Sequence, residues 1–155
     1  MTTVAIGQAV PDFSVTSTGG EFRLSEQRGR KVVLYFYPKA STPGCTRESQ
    51  DFRDLAADFE QAGAVIVGAS RDGLRAQTNF KTKQELPFEL LADTDEAVCR
   101  LFDVIQEKTM FGRKGFGIVR STFLIDAEGV LRQEWRGVRV PGHAATVLEA
   151  VQAQE

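Results

Sequence analysis

One histidine, two cysteines and one tryptophan stand in 155 residues, and these scarcities exclude several classes of chemistry. A structural zinc site takes four nitrogen or sulfur ligands, and His143, Cys45 and Cys99 fall short of that set. Two cysteines do not make a disulfide framework; in a chain without an export signal they point to a reducing compartment, the cytoplasm. The segment Met1 to Val10 has no basic residue and too short an apolar stretch for a secretory signal. No apolar run approaches the length needed to cross a bilayer. Charge of one sign is also missing: 19 Lys and Arg against 21 Asp and Glu give a formal net charge of −2. That balance removes the electrostatic case for nucleic acid or an anionic membrane as partner. Asp93-Thr94-Asp95-Glu96 lacks the full calcium-loop pattern and reads as helix capping. Phe111-Gly112-Arg113-Lys114-Gly115 lacks the glycine spacing of a phosphate cradle. No metal and no organic cofactor are expected.

What is present is the composition of a soluble globular protein, 42% hydrophobic and 26% charged, in a chain the length of a single domain over 1–155. Lys31 to Tyr37, Ala64 to Ser70 and Ile118 to Ile125 are strong strand candidates, β-branched, aromatic and apolar. Val130 to Arg136 is a fourth, and weaker strand signals cover Asp12 to Thr16, Glu21 to Leu24 after the turn Thr18-Gly19-Gly20, and Phe88 to Leu91. Asp126-Ala127-Glu128-Gly129 reads as a tight hairpin connection. Ser25 to Arg28 reads as a short helical turn. Helices are expected from Pro43 to about Gln61, then over Leu74 to Gln84, Asp95 to Phe102 and His143 to Gln152. Gln106 to Gly117, rich in glycine and basic residues, reads as an exposed loop and a solvated rim for docking a reductant. Strands alternating with helices, plus one hairpin, predict an α/β fold with a mixed central sheet flanked by helices, compatible with a thioredoxin-like arrangement.

The chemistry concentrates where the first strong strand meets the first helix. Thr42 is a candidate N-cap, Pro43 suits the first helical position, and Cys45 falls in the first turn. Unpaired backbone N–H groups and the positive end of the helix dipole favour an anion there, so the thiol is expected to ionise readily. The residues Cys45, Ser49, Phe52, Ala56 and Phe59 recur at helical spacing, so Phe52, Leu55 and Phe59 are expected to dock on the sheet. Pro38 and Pro43 fix the entering backbone and limit water. A Cys–His pair is not expected, because His143 begins the last helix and reads as a helix-terminus or surface residue. Activation by a fixed cation and hydrogen bonds suits a reaction with a good leaving oxygen, such as attack on a peroxide O–O bond. Peptide cleavage, whose amine leaving group needs an acid, suits it poorly.

Tyr37-Pro38-Lys39-Ala40-Ser41-Thr42-Pro43-Gly44-Cys45-Thr46-Arg47-Glu48 resembles the active-site loop of the peroxiredoxins. The Thr-Pro-Gly-Cys-Thr form is similar to the bacterioferritin comigratory protein, or peroxiredoxin Q, branch. Arg120-Ser121-Thr122-Phe123-Leu124-Ile125-Asp126 resembles the strand carrying the family's active-site arginine. Leu90-Leu91-Ala92-Asp93 and the stretch from Trp135 through Pro141-Gly142-His143 are similar as well, so the likeness runs from Pro11-Asp12-Phe13 to the last helix. The resemblance implies a thioredoxin-like fold and a thiol peroxidase that reduces hydrogen peroxide or organic hydroperoxides. It implies Cys45 as the peroxidatic nucleophile, Arg120 holding the thiolate and polarising the peroxide, and Thr42 contacting the reacting atoms. Pro38 would shield the site and Glu48 would orient the arginine.

The chain departs from that branch in its second cysteine. A resolving cysteine often lies five residues after the peroxidatic one, where this chain has Gln50, or in the helix around Lys81, which has none. Cys99 is the one internal candidate, and its apolar neighbours Ala97, Val98, Leu101 and Phe102 read as core packing. A one-cysteine cycle follows, with thioredoxin, glutaredoxin or a small thiol as reductant. The alternatives are a two-cysteine cycle through Cys99 and a peroxide sensor or redox-regulated binding protein. A thiol–disulfide oxidoreductase is weaker, since no Cys-x-x-Cys pair exists. With no obvious apolar assembly segment, the expected state is a monomer.

Overall fold

The apolar run after Gly29 becomes β3 (Lys31–Phe36), and its alternation sets the two faces of the molecule. In a strand, successive side chains point to opposite sides. Val32, Leu34 and Phe36 pack into one buried cluster, while Val33 and Tyr35, with Tyr37 just beyond the strand, pack into another. The computed structural model describes residues 4–110 and 112–154. Expectations touching Met1 to Thr3, Phe111 and Glu155 lie outside the described residues.

β3 pairs in parallel with β4 (Ala64–Ser70), which pairs in parallel with β5 (Glu89–Ala92). On its other side β3 pairs antiparallel with β8 (Ser121–Ile125), and β8 with β9 (Leu131–Arg136). β1 (Ser14–Ser17) and β2 (Gly20–Arg23) form a hairpin that completes a seven-stranded sheet of order β2-β1-β5-β4-β3-β8-β9. A 3-10 turn over Leu24–Gln27 leads into β3. The mixed sheet is the one expected.

Helices cover one face densely. α1 (Pro43–Asp54), α2 (Ala56–Gln61), α3 (Leu74–Gln84) and α5 (His143–Ala153) bring Phe52, Phe59, Phe80, Val147 and Val151 onto Val33, Tyr35 and Leu124. α4 (Ala97–Leu101) lies on the opposite face with Cys99, Phe102, Leu24, Ile118 and Phe123. Each fully buried Phe contributes roughly 1.5–3 kcal/mol of transfer free energy, so Phe52 and Phe59 anchor the segment that carries Cys45. Asp93 accepts hydrogen bonds from the N–H groups of Val98 and Cys99 at 3.0 and 2.7 Å, the capping role expected of that acidic stretch.

Three boundaries differ from expectation. The helix expected from Pro43 to Gln61 breaks at Leu55 (φ −104°, ψ 6°), whose N–H donates to the Phe52 carbonyl, three residues back, at 3.2 Å. No glycine or proline marks this break; α1 contacts α3 and α5, whereas α2 packs on β4. Leu55 is half-buried as a result, while Phe52 and Phe59 are buried. The expected loop 106–117 is instead a hairpin of β6 (Ile105–Met110) and β7 (Arg113–Ile118), a separate two-stranded sheet. Lys108 is half-buried and Arg113 to Phe116 are exposed, so little apolar alternation marks these strands in the sequence. Finally, the strand expected from Ile118 starts only at Ser121, because Val119 and Arg120 carry the chain from that hairpin into the main sheet.

Candidate active site

The segment between β3 and α1 is tied down at each end. The Tyr37 N–H donates to the Ala69 carbonyl at 3.0 Å, and the Ala40 N–H donates to Asp72 Oδ2 at 2.8 Å. Ser41 sits in the left-handed region at φ +65°, a conformation few non-glycine residues adopt, which turns the chain into the helix. Thr42 is the N-cap residue by backbone geometry, and Pro43 is at the first helical position, as the sequence predicts. The Thr42 hydroxyl makes no capping bond; it donates to the Lys39 carbonyl at 2.7 Å, leaving its lone pairs to accept. The N–H groups of Gly44 and Cys45 have no hydrogen-bond partner among the described residues. The first helical turn thus presents two free donors beside the sulfur of Cys45, which is buried in the helical-face cluster.

Arg120 reaches this turn from the junction of β7 and β8. Its Nη2 lies 3.4 Å from Cys45 Sγ, and its Nη1 donates to Glu48 Oε1 at 2.7 Å. The close approach depends on Gly44, since a Cβ there would lie 3.2 Å from Arg120 Nη2. Glu48 is 1% exposed, and its Oε2 is buried without a partner among the described residues. Burial pushes the Glu48 carboxyl up to about 7, against the opposing pull of Arg120. Burial works against the charge of Arg120, but Glu48 and Cys45 more than compensate, and its pKa rises. The guanidinium is therefore a fixed cation shared between one carboxylate and one sulfur.

Cys45, Thr42, Pro38 and Arg120 line one cleft of about 480 Å³, whose far wall is the β6–β7 hairpin. Glu48 lies behind Arg120, out of that lining. Residues absent from the sequence prediction also take part. Asp72 holds the Ala40 N–H and accepts from Ser70 Oγ at 2.5 Å, and Arg71 and Lys108 line the cleft. A lone aspartate after a strand carries no sequence signal for this, and Lys108 lies in a glycine-rich, basic stretch that reads as a loop.

His143 begins α5 as expected, but it is buried, not on the surface. Its Nε2 shares a 2.8 Å hydrogen bond with Thr122 Oγ1, and the rings of Phe52 and Trp135 meet it edge-on. Burial, with Arg120 nearby, pushes its pKa down to about 4, so it is neutral near pH 7. Cys99 is fully buried in the cluster on the opposite face of the sheet from Cys45. Burial, with Asp93 beside it, pushes that thiol well above its ordinary value. Gln50 and Lys81, at the two positions where the branch often carries its second cysteine, bond to Gln84 Oε1 and Glu89 Oε1, each at 2.9 Å.

The chain is similar over most of its length to known proteins. A model of the AhpC/TSA family matches residues 6–134. Peroxiredoxin Bcp of Xanthomonas campestris pv. campestris is 50% identical over 143 residues, covering 92% of this chain and 89% of the relative. Peroxiredoxin Bcp of Bacillus subtilis is 47% identical over 150 residues, 96% of each chain. A solved structure of Xanthomonas campestris peroxiredoxin Q superposes with a TM-score of 0.90 at 47% identity, covering 99% of this chain and 98% of that one. A structure of the Xanthomonas campestris bacterioferritin comigratory protein, described for its alkyl peroxide reduction activity, gives a TM-score of 0.89 at 46% identity, with 99% and 98% covered. The architecture is accordingly the thioredoxin-like fold of the peroxiredoxins.

Proposed function

The chain belongs to the AhpC/TSA family, in its peroxiredoxin Bcp and Q branch, and from that premise we propose a thiol-peroxidase cycle carried by Cys45. As a peroxiredoxin the protein is a thiol-dependent peroxidase acting on hydroperoxides. In the proposed first step the Cys45 thiolate attacks the terminal peroxide oxygen in line. An S–O bond forms as the O–O bond breaks, leaving Cys45 as a sulfenic acid and releasing water or alcohol once the leaving oxygen takes a proton. The observation that carries this assignment is the 3.4 Å contact between Arg120 Nη2 and Cys45 Sγ at a helix start with two unpaired N–H groups. The guanidinium holds the thiolate, and with the Cys45 N–H it meets the charge that develops on the peroxide. Thr42, its proton committed to the Lys39 carbonyl, accepts the hydroperoxide O–H. Pro38 walls the cleft against water, and Glu48 is a positioning residue that fixes the rotation of Arg120.

Recycling is proposed as a one-cysteine cycle with an external thiol. Cys99 is a buried, hard-to-ionise thiol across the sheet, and a disulfide requires Cα atoms within about 7 Å. Both cysteines are free, in keeping with the cytoplasm. No helix among the described residues is long and apolar enough to cross a membrane. A monomer is in keeping with the scatter of the exposed large apolar side chains, Ile6, Leu74 and Phe116. The test is to treat reduced protein with one equivalent of hydrogen peroxide and record intact mass and free thiols. The cycle predicts one added oxygen on Cys45 and a surviving Cys99 thiol, and catalytic peroxide loss once a thiol is supplied. Loss of both thiols within one chain would instead make Cys99 the resolving residue.

A further inference from the structure

The reacting groups occupy only the floor of the cleft above Cys45. At about 480 Å³ the space is of small-molecule size, far more than hydrogen peroxide fills. Its walls are cationic: Lys39, Arg71, Lys108, Arg113, Lys114 and Arg120 all line it, in a chain whose net charge is −2. Arg71 is paired with Glu96 at 2.9 Å and Arg120 with Glu48 at 2.7 Å. Lys39, Lys108, Arg113 and Lys114 have no carboxylate within ion-pair distance among the described residues. Lys108 Nζ donates to the Ile118 carbonyl, and burial with the charges of Arg120 and Arg71 pushes its pKa down. A partly dehydrated ammonium crowded by like charges gains most from an incoming anion.

The hairpin that carries these cations also leaves room. Lys108 stands opposite Gly115 and Gln106 opposite Gly117, and directly opposed residues project to the same side. Alternation puts Arg113 on that side as well, so it bears two cations; the Lys108 side chain lies over Gly117, 3.2 Å from where a Cβ would stand, and the open position is Gly115. A Cβ at Gly115 would meet nothing within 4 Å. The second substrate must also enter here: Cys99 lies across the sheet, and Gln50 and Lys81 hold the alternative positions.

We infer that this cleft binds the reductant, and that the reductant is a small thiol bearing two carboxylates, of the glutathione class, held by Arg113 and Lys108 with its sulfur over Cys45. The inference rests on the peroxidase reading of Cys45. The first thiol attacks the sulfenic sulfur; an S–S bond forms and the S–O bond breaks, the departing hydroxide leaving as water with the thiol proton. A second thiol attacks the mixed disulfide at the small-molecule sulfur, releasing the symmetrical disulfide and restoring the Cys45 thiolate. Two thiols thus supply the two electrons that the peroxide removed.

The experiment oxidises the protein with one equivalent of hydrogen peroxide, adds glutathione or its diethyl ester at low salt, and follows loss of the Cys45 sulfenic acid by quenched intact mass. Wild type is expected to favour glutathione over the ester by about tenfold, a preference that salt erodes. In Arg113→Gln with Lys108→Gln that ratio is expected to fall about fivefold, and in Lys83→Gln, which removes a charge at the far end of α3, to stay. A ratio near one in wild type, an unchanged ratio in the double variant, or recycling by thioredoxin and not by glutathione overturns the inference. So does a charge dependence confined to a carboxylate-bearing hydroperoxide compared with its methyl ester, which would give the cleft to the oxidant. These outcomes presuppose that the sulfenic acid forms. If Cys45 takes up no oxygen in the first step, the peroxidase reading itself fails, whereas oxidation followed by charge-blind recycling defeats the thiol assignment alone.

Discussion

In the proposed cycle a guanidinium 3.4 Å from one sulfur and 2.7 Å from one carboxylate concentrates the reactivity of this chain on three side chains. Replacing Arg120 with Gln removes the fixed charge while keeping a planar donor. The rate constant for oxidation of Cys45 by hydrogen peroxide is expected to fall roughly 10²–10³-fold, measurable by stopped-flow fluorescence of Trp135. In the proposed cycle Glu48 acts through that arginine and not on the peroxide. Its carboxyl, raised to about 7 by burial, ionises as pH rises through neutrality, and the ion pair that fixes Arg120 strengthens in the same window. The oxidation rate of wild type should therefore carry a rising limb near pH 7. In Glu48→Gln, which retains an acceptor for Arg120 but no titration, that limb should vanish while Arg120 still binds. An unaltered pH profile in the variant would remove Glu48 from the mechanism.

At the scale of elements, the site depends on how firmly α1 and the segment before it are held. Phe52 is fully buried about one turn past Glu48 and stacks on Tyr35 of β3 at 4.7 Å between ring centroids. Phe52→Ala is expected to cost about 3–5 kcal/mol of stability, read from denaturant unfolding with the slope of the transition unchanged. The segment 38–42 depends on Asp72 instead. Asp72→Ala leaves the Ala40 N–H without its acceptor, a loss of about 1–3 kcal/mol, and frees the left-handed Ser41. Peroxide oxidation should slow in Asp72→Ala and recover largely in Asp72→Asn, which keeps an oxygen at that place. Equal rates in the two variants would argue against the tether.

Across the whole molecule, stability should respond to pH in two opposed ways. His143 joins α5 to β8 through Thr122, and in the folded protein it takes up a proton only near pH 4, against an ordinary value of 6.5. Between those values the unfolded chain binds more protons, so this contribution is complete above about 6.5 and is lost as pH falls through about 4. Glu48 works in the other direction: its folded value near 7 exceeds the ordinary 4.5, so its contribution declines as pH rises between them. Unfolding free energies measured from pH 4 to 8 should show the low-pH decline reduced in His143→Gln and the high-pH decline reduced in Glu48→Gln. If neither variant alters the pH dependence, these two burials do not govern it.

The linear order of residues was enough to place Cys45 in the first turn of a helix, because a buried strand, a turn and a helix start are local patterns. Thr42, Pro43 and Cys45 declare the helix end within four residues, and the alternation of Lys31 to Tyr37 declares the strand that feeds it. The mixed sheet followed from which segments were apolar and how they alternated with helices. Long-range pairing was different. That Arg120 bridges Cys45 and Glu48 was implied only by family likeness, since no local rule connects residues 72 positions apart. Asp72 beneath Ala40, the burial of His143 and the break at Leu55 carried no sequence signal. The hairpin over Cys45 was read as loop because its strands are held by backbone pairing and mostly exposed, so burial left little pattern in its side chains. Only the folded sheet put Cys99 on the far face from Cys45, because the alternating sides of β3 separate two cores that the sequence lists as one apolar inventory.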